Sequence, residues 1–431
     1  MAERPELMSI GDSCYNGVRS LTIDAALAGQ SVPAQVARAF GWPFVTPNYP
    51  RPMLFDLEAL VRHPGGIGNL RQSILANARE WLDPGPWSTL PAFDNIAVAQ
   101  MTISDLTMFT FNNHVGKIQP LIDDFAGNAS LKYDDILALY FAINGSFLLN
   151  PSHDAASPFA SMTPLDVVEN RRPKRLLVNI GINDGIWEVC LSAKSAIDSA
   201  AMTAAMQDLG DRLVELRRQG AVDRIYLNSF PKPSVVANLM PRTNPQRCPP
   251  AAGYYPEYLG RLTQIGRLTD VDMAAIDRQV QALNAAVAAD YRARFAEVGG
   301  IHFVDTYDVM AAHDNKHCRE PQPIWVNHGH TQWRMTNYPL QSFGGFVEGG
   351  LFGLDNLHPS TVGYSMLAKA VCDQISAVEG IQPPTPVSYQ TAFDADTLLQ
   401  DVPALLDLET LVLNLAFSFV SLRKFQQGAI I

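Results

Sequence analysis

Five short apolar runs, Leu7 to Ile10, Asn95 to Val98, Leu176 to Ile180, Arg224 to Phe230 and Ile301 to Asp305, each pass straight into a polar loop, and stretches of helical period lie between them. Strands that alternate with amphipathic helices predict an α/β chain with a parallel sheet covered on both faces. The helices are legible by spacing. Met202, Met206, Leu209, Leu213 and Leu216 recur at three and four residues within 200–219, and Met273, Ile276, Val280, Leu283 and Val287 do the same within 271–295. A further helix is expected over 362–378, where Pro359 precedes Ser360 and Thr361, either of which can cap it.

The first run reads Leu7-Met8-Ser9-Ile10-Gly11-Asp12-Ser13, and near the other end stands Asp355-Asn356-Leu357-His358-Pro359. A serine at a sharp strand-to-helix turn is exposed at the sheet edge, where a histidine can remove its proton and an acyl carbonyl can reach it. An aspartate three residues before that histidine can orient the imidazole. Between the two lie Asp94-Asn95-Ile96-Ala97-Val98-Ala99-Gln100 and Leu176-Leu177-Val178-Asn179-Ile180-Gly181-Ile182-Asn183-Asp184.

In this order, and each at a strand end, the four blocks resemble those of the SGNH, or GDSL, hydrolase family, from about Leu7 to about Ala377. The resemblance implies a three-layer α/β/α, flavodoxin-like domain over 1–380. It implies Ser13 as nucleophile, His358 as general base and Asp355 as its partner, with an oxyanion held by the Ser13 N–H, the Gln100 N–H and the Asn183 amide. Gln100 departs from the pattern, because the family usually has glycine there. A backbone donor needs only an N–H, which every residue but proline has, whereas glycine is favoured where φ is positive or a group approaches closely. The implied reaction is ester hydrolysis through an acyl enzyme, without metal or organic cofactor.

Other readings stand beside it. The same residues would serve an acyltransferase or a carbohydrate acetylesterase, and the same scaffold could be a non-catalytic binding protein. A metal-dependent hydrolase is suggested by His313, His317, His328 and His330, with Cys318 among them; the first two share a face if helical, the last two if extended.

A formal charge of −11 argues against nonspecific binding to nucleic acid. Two stretches, 102–173 and 314–353, exceed what a minimal fold of this kind needs. Trp325, Trp333, Tyr338, Phe343 and Phe346 of the second read either as packing of an irregular insertion or as contacts to substrate. Delivery of that segment into Asp355 favours the latter, and with it a lipid-like or other hydrophobic acyl ester. Over 381–431 a proline linker, Gln382 to Pro386, leads to an apolar helical extension expected to be buried. Asp407 and Glu409 interrupt it too soon for a transmembrane span. Packing on the domain, a homo-oligomer interface through 405–425, and a lipid surface near Arg423 and Lys424 are its three readings. The chain opens without a signal-peptide pattern, which leaves the compartment open between cytoplasmic and mature exported forms. Cys14 and Cys372 read as small buried residues, and Cys248 and Cys318, in loop-like sequence, as a disulfide candidate.

Overall fold

The computed structural model describes residues 4–63, 70–82, 87–127, 133–241, 253–260, 266–317, 320–343 and 346–403. Its centre is a parallel sheet of four strands, β1 (Leu7–Gly11), β2 (Arg175–Asn179), β3 (Arg224–Asn228) and β4 (Ile301–Val304), in the order β1-β2-β3-β4. The register pairs Leu7 with Arg175, Leu176 with Ile225, and Ile225 with Ile301. Every residue of β1 is buried, as are the last four of β2 and of β3. Since successive side chains point to opposite faces, unbroken burial means that both faces are covered.

The fifth expected strand is a correction. The segment at 94–98 runs beside the free edge of β1, with Ser9 N–H donating to Asp94 O, Ile96 N–H to Ser9 O and Val98 N–H to Gly11 O, but it forms a single bridge, Ser9 to Asn95. Asn95 explains the lapse: its side-chain oxygen accepts the Ser9 hydroxyl at 2.9 Å and the Ala97 N–H at 3.2 Å, so the amide bonds locally and competes with the ladder. The chain thus flanks β1 first with 94–98 and then, on the other side, with β2. The end of β1 is where the connections part, which is where α/β sheets open a crevice.

The helices among the described residues include α1 (Ser13–Asn16), α2 (Val32–Phe40), α3 (Phe111–Gly127), α4 (Tyr133–Leu149), α5 (Ser199–Arg218), α6 (Asp270–Arg294) and α7 (Thr361–Glu379). α2 and α7 pack together, α2 also against β1 and α7 against β4; α5 and α6 form a second pair, with α6 against β4. The Ser360 hydroxyl accepts the Gly363 N–H and starts α7, and Thr269 with Asp272 makes a capping box that starts α6. The first long insertion is chiefly helical, α3 and α4 packing side by side. The second holds an antiparallel hairpin, Ile324–His328 with Thr331–Met335.

Residues 381–403 are no free spacer. Thr385 N–H donates to Ala39 O, Phe393 packs edge-on against Trp333 at 5.6 Å, and Asp396 is fully buried. The apolar helix read over 405–425 lies outside the described residues, as do Cys248 and Cys318. Cys190 and Cys372 are buried with free thiols, whereas Cys14 is only half-buried.

Candidate functional site

β1 ends in Gly11, whose φ is +147°; a Cβ there would overlap the Asn179 carbonyl oxygen, so only glycine lets β1 approach β2 this closely. Asp12 follows in extended geometry and caps α1, its carboxylate accepting the Cys14 N–H at 3.1 Å. Strand and cap together set Ser13 on the first helical residue, at the end of the sheet. Asp355 to His358 arrive just before α7, with Asn356 in the left-handed region at φ 57°.

Three expected residues meet. His358 Nε2 lies 3.0 Å from Ser13 Oγ, and His358 Nδ1 lies 2.7 Å from Asp355 Oδ2. Asp355 Oδ1 accepts the N–H groups of Leu357 and His358, both at 2.9 Å, and its Oδ2 also accepts the Leu21 N–H at 2.8 Å. Burial alone would raise the Asp355 carboxyl; His358 and those backbone donors outweigh it and hold the group below its ordinary value. An ionised Asp355 makes Nδ1 the protonated nitrogen, so Nε2 is an acceptor and the Ser13 hydroxyl donates to it. All three side chains are buried, and the Trp187 ring stands 5.3 Å from the imidazole.

The two remaining residues make no hydrogen bond to Ser13 among the described residues, and the Asn183 amide bonds instead to the residue after Gln100. Gln100 sits at φ 71°, the left-handed conformation that glycine would take without strain. Its N–H and that of Ser13 donate to no partner among the described residues. Asn183 Nδ2 donates to Met101 O at 2.9 Å and Ile103 N–H donates to Asp184 Oδ2 at 3.1 Å, so the second and third blocks are tied as one unit. Neither Gln100 nor Asn183 is among the residues lining the cleft over Ser13.

That cleft spans about 620 Å³ when the open solvent at its mouth is counted. Ser13, Asn179 and His358 give it a polar floor, and Ile182, Ile186, Trp187, Val236, Met310 and Leu367 are among its apolar walls. Of the second insertion, Phe352 reaches it. Trp325 and Trp333 do not: the first points outward, 51% exposed, and the second packs on Phe393, which corrects the expectation that these rings line the site. The four histidines do not converge either. His313 bonds Gln322 O at 2.8 Å, His317 lies between Asp314 and Tyr258, and among the described residues no three His, Cys, Asp or Glu side chains group as metal ligands.

Sequence reasoning missed a polar chain across the strand ends. Asp12 Oδ1 accepts from Asn179 Nδ2 at 2.9 Å, Asn179 Oδ1 from Asn228 Nδ2 at 2.9 Å, and Asn228 Oδ1 from the Tyr15 hydroxyl at 3.0 Å. The signal was present: β2 and β3 are apolar runs that both close on asparagine. Burial pushes the Asp12 carboxyl up to about 7 against the Cys14 N–H and the Asn179 amide, and its Oδ2 has no partner among the described residues.

Comparisons of the chain with models of known families, with curated proteins and with solved structures found no match.

Proposed function

We propose that this chain is a serine ester hydrolase of the SGNH type, on a three-layer flavodoxin-like fold, with Ser13, His358 and Asp355 as its triad. One observation carries the reading: a buried serine hydroxyl, imidazole and carboxylate joined at 3.0 and 2.7 Å on the floor of an apolar cleft. His358 Nε2 takes the Ser13 proton as Oγ bonds the acyl carbon, and the carbonyl electron pair moves onto oxygen. The free Ser13 N–H is the donor at hand for that oxyanion, and the Gln100 N–H and the second N–H of the Asn183 amide, outside the cleft lining, are the donors that the family resemblance assigns. Collapse breaks the bond to the alcohol, which leaves with the proton from His358. Water, deprotonated by the same nitrogen, then releases the acid. The walls suit an apolar acyl group over an acetylated sugar, because few lining atoms other than the reacting groups could satisfy ring hydroxyls.

The test is hydrolysis of p-nitrophenyl esters of increasing acyl length, with a fluorophosphonate label read by mass spectrometry. Turnover and a label on Ser13 are expected in the wild-type chain, both lost in Ser13→Ala and both indifferent to chelator. A label on another residue, or turnover that survives Ser13→Ala, would sink the proposal.

A further inference from the structure

Arg19 is nearly inaccessible, 3% exposed, with four of its N–H donors in hydrogen bonds and an ion pair to Asp396 beside them. Nε donates to Glu58 Oε1 at 2.8 Å; Nη2 donates to Glu58 Oε2 at 2.8 Å and to the Thr397 hydroxyl at 2.7 Å. Nη1 meets Asp396 Oδ1 at 2.8 Å and the Thr361 hydroxyl at 3.3 Å. Asp396 reaches this cluster from the far end of the described chain, and its other oxygen accepts the Thr361 N–H at the start of α7. So complete a grip on one guanidinium needs an object.

The object is the turn that Arg19 begins. Arg19 N–H donates to Thr22 O and Thr22 N–H to Arg19 O, closing four residues whose central pair, Ser20 and Leu21, have φ of 53° and 55°. Turns with two positive φ values are normally filled by Asn-Gly or Gly-Gly, and leucine is strained there. The conformation is used. It aims the Leu21 N–H at Asp355 Oδ2, 2.8 Å away, the same oxygen that accepts from His358 Nδ1. Ser20 adds a second tie: its hydroxyl donates to Glu58 Oε1 at 3.0 Å and accepts the N–H of Leu354, the residue before Asp355, at 3.0 Å. An ion pair from Asp396 to Arg19, and hydrogen bonds from Arg19 through Glu58 and Ser20, therefore lead to the segment carrying Asp355.

We propose that Arg19 is a positioning residue: clamped by Glu58 and Asp396, it locks the Ser20–Leu21 turn in its left-handed form, and so holds the Leu21 N–H on Asp355 and the carboxylate on His358. In its kinetic part this rests on the triad reading above; in its spectroscopic part it does not. A clamp that served folding alone would stabilise the chain without touching the state of the imidazole.

The experiment uses the full chain labelled with ¹⁵N-histidine, following the downfield Nδ1 proton assigned to His358 by its absence in His358→Gln. Arg19→Lys keeps the charge but not the five-donor fork. It is expected to move or broaden that resonance and to lower kcat by roughly 10- to 100-fold at nearly constant KM, the scale on which misplaced catalytic groups act. Adding Leu21→Gly, which takes positive φ without strain, is expected to restore the resonance and to bring kcat back to within about threefold of Leu21→Gly alone, since a turn that holds itself needs no clamp. A folded Arg19→Lys chain with an unchanged resonance, or a double variant no better than the single, would overturn the proposal. Should Arg19→Lys not fold, Glu58→Gln takes its place: a moved resonance and a lowered kcat are again expected, and an unchanged resonance in the folded variant again overturns the clamp. A wild-type chain without Ser13-dependent turnover would defeat the hydrolase reading while leaving the resonance to decide the clamp.

Discussion

Asp12 is the residue at which the cost of the site is plainest. Its cap on α1 and its bond to Asn179 need a carboxylate or an amide of this shape, but its buried Oδ2 has no partner among the described residues. Between its unfolded value near 3.8 and about 7, the folded chain keeps a proton that the unfolded chain has released. The Asp12 contribution to stability therefore falls as pH rises across that window and levels off above it. Asp12→Asn retains the accepting oxygen and removes the titration. Urea unfolding at pH 4.5 and at pH 8 is expected to give a variant whose stability relative to wild type rises with pH, by up to about 3 kcal/mol over that interval. A gap that does not change with pH would show that the Asp12 carboxyl does not titrate in this range.

Among the elements, the helix pair of the first insertion has a packing logic that its sequence conceals. His114 of α3 is fully buried, its ring 4.6 Å from Phe141 and 5.1 Å from Phe109, and burial holds its pKa down to about 3, so it packs as a neutral ring. Gly145 of α4 makes room for it. A Cβ at Gly145 would fall inside contact distance of three imidazole atoms. Gly→Ala inside a helix ordinarily stabilises by about 0.5–1 kcal/mol. Here the sign is expected to reverse, with Gly145→Ala losing about 1–3 kcal/mol through overpacking, measured by thermal or urea unfolding. A neutral or stabilising Gly145→Ala would mean that α3 and α4 slide freely past each other.

Across the whole molecule, the ends of the described chain meet. Strand β1 and the Ser20–Leu21 turn come from its beginning, Asp355, His358 and Asp396 from near its end, and the buried Arg19 joins them. Asp396→Ala removes one partner of a buried ion pair and also strips the acceptor from Thr361, Leu398 and Leu399 N–H. Losing one side of such a pair costs about 3–5 kcal/mol, because the remaining charge stays buried. A fall of that size in urea unfolding is expected; one below about 1 kcal/mol would show that Asp396 does not anchor residues 381–403 to the domain.

What the sequence determined by itself was local. Hydrophobic period marked β1 to β4 and the helices α5, α6 and α7, because burial on both faces or along one stripe writes itself into residue spacing. Ser13, His358 and Asp355 were legible because each stands at a strand end or beside a helix start whose chemistry is set by its neighbours. Tertiary structure alone decided the rest. The bridge in place of a strand at Asn95, the inward Phe352 beside outward Trp325, and the grip of Arg19 on a turn serving Asp355 all depend on partners tens to hundreds of residues away. No window of sequence holds such pairings, because a polar side chain takes whichever partner the fold brings within hydrogen-bond reach.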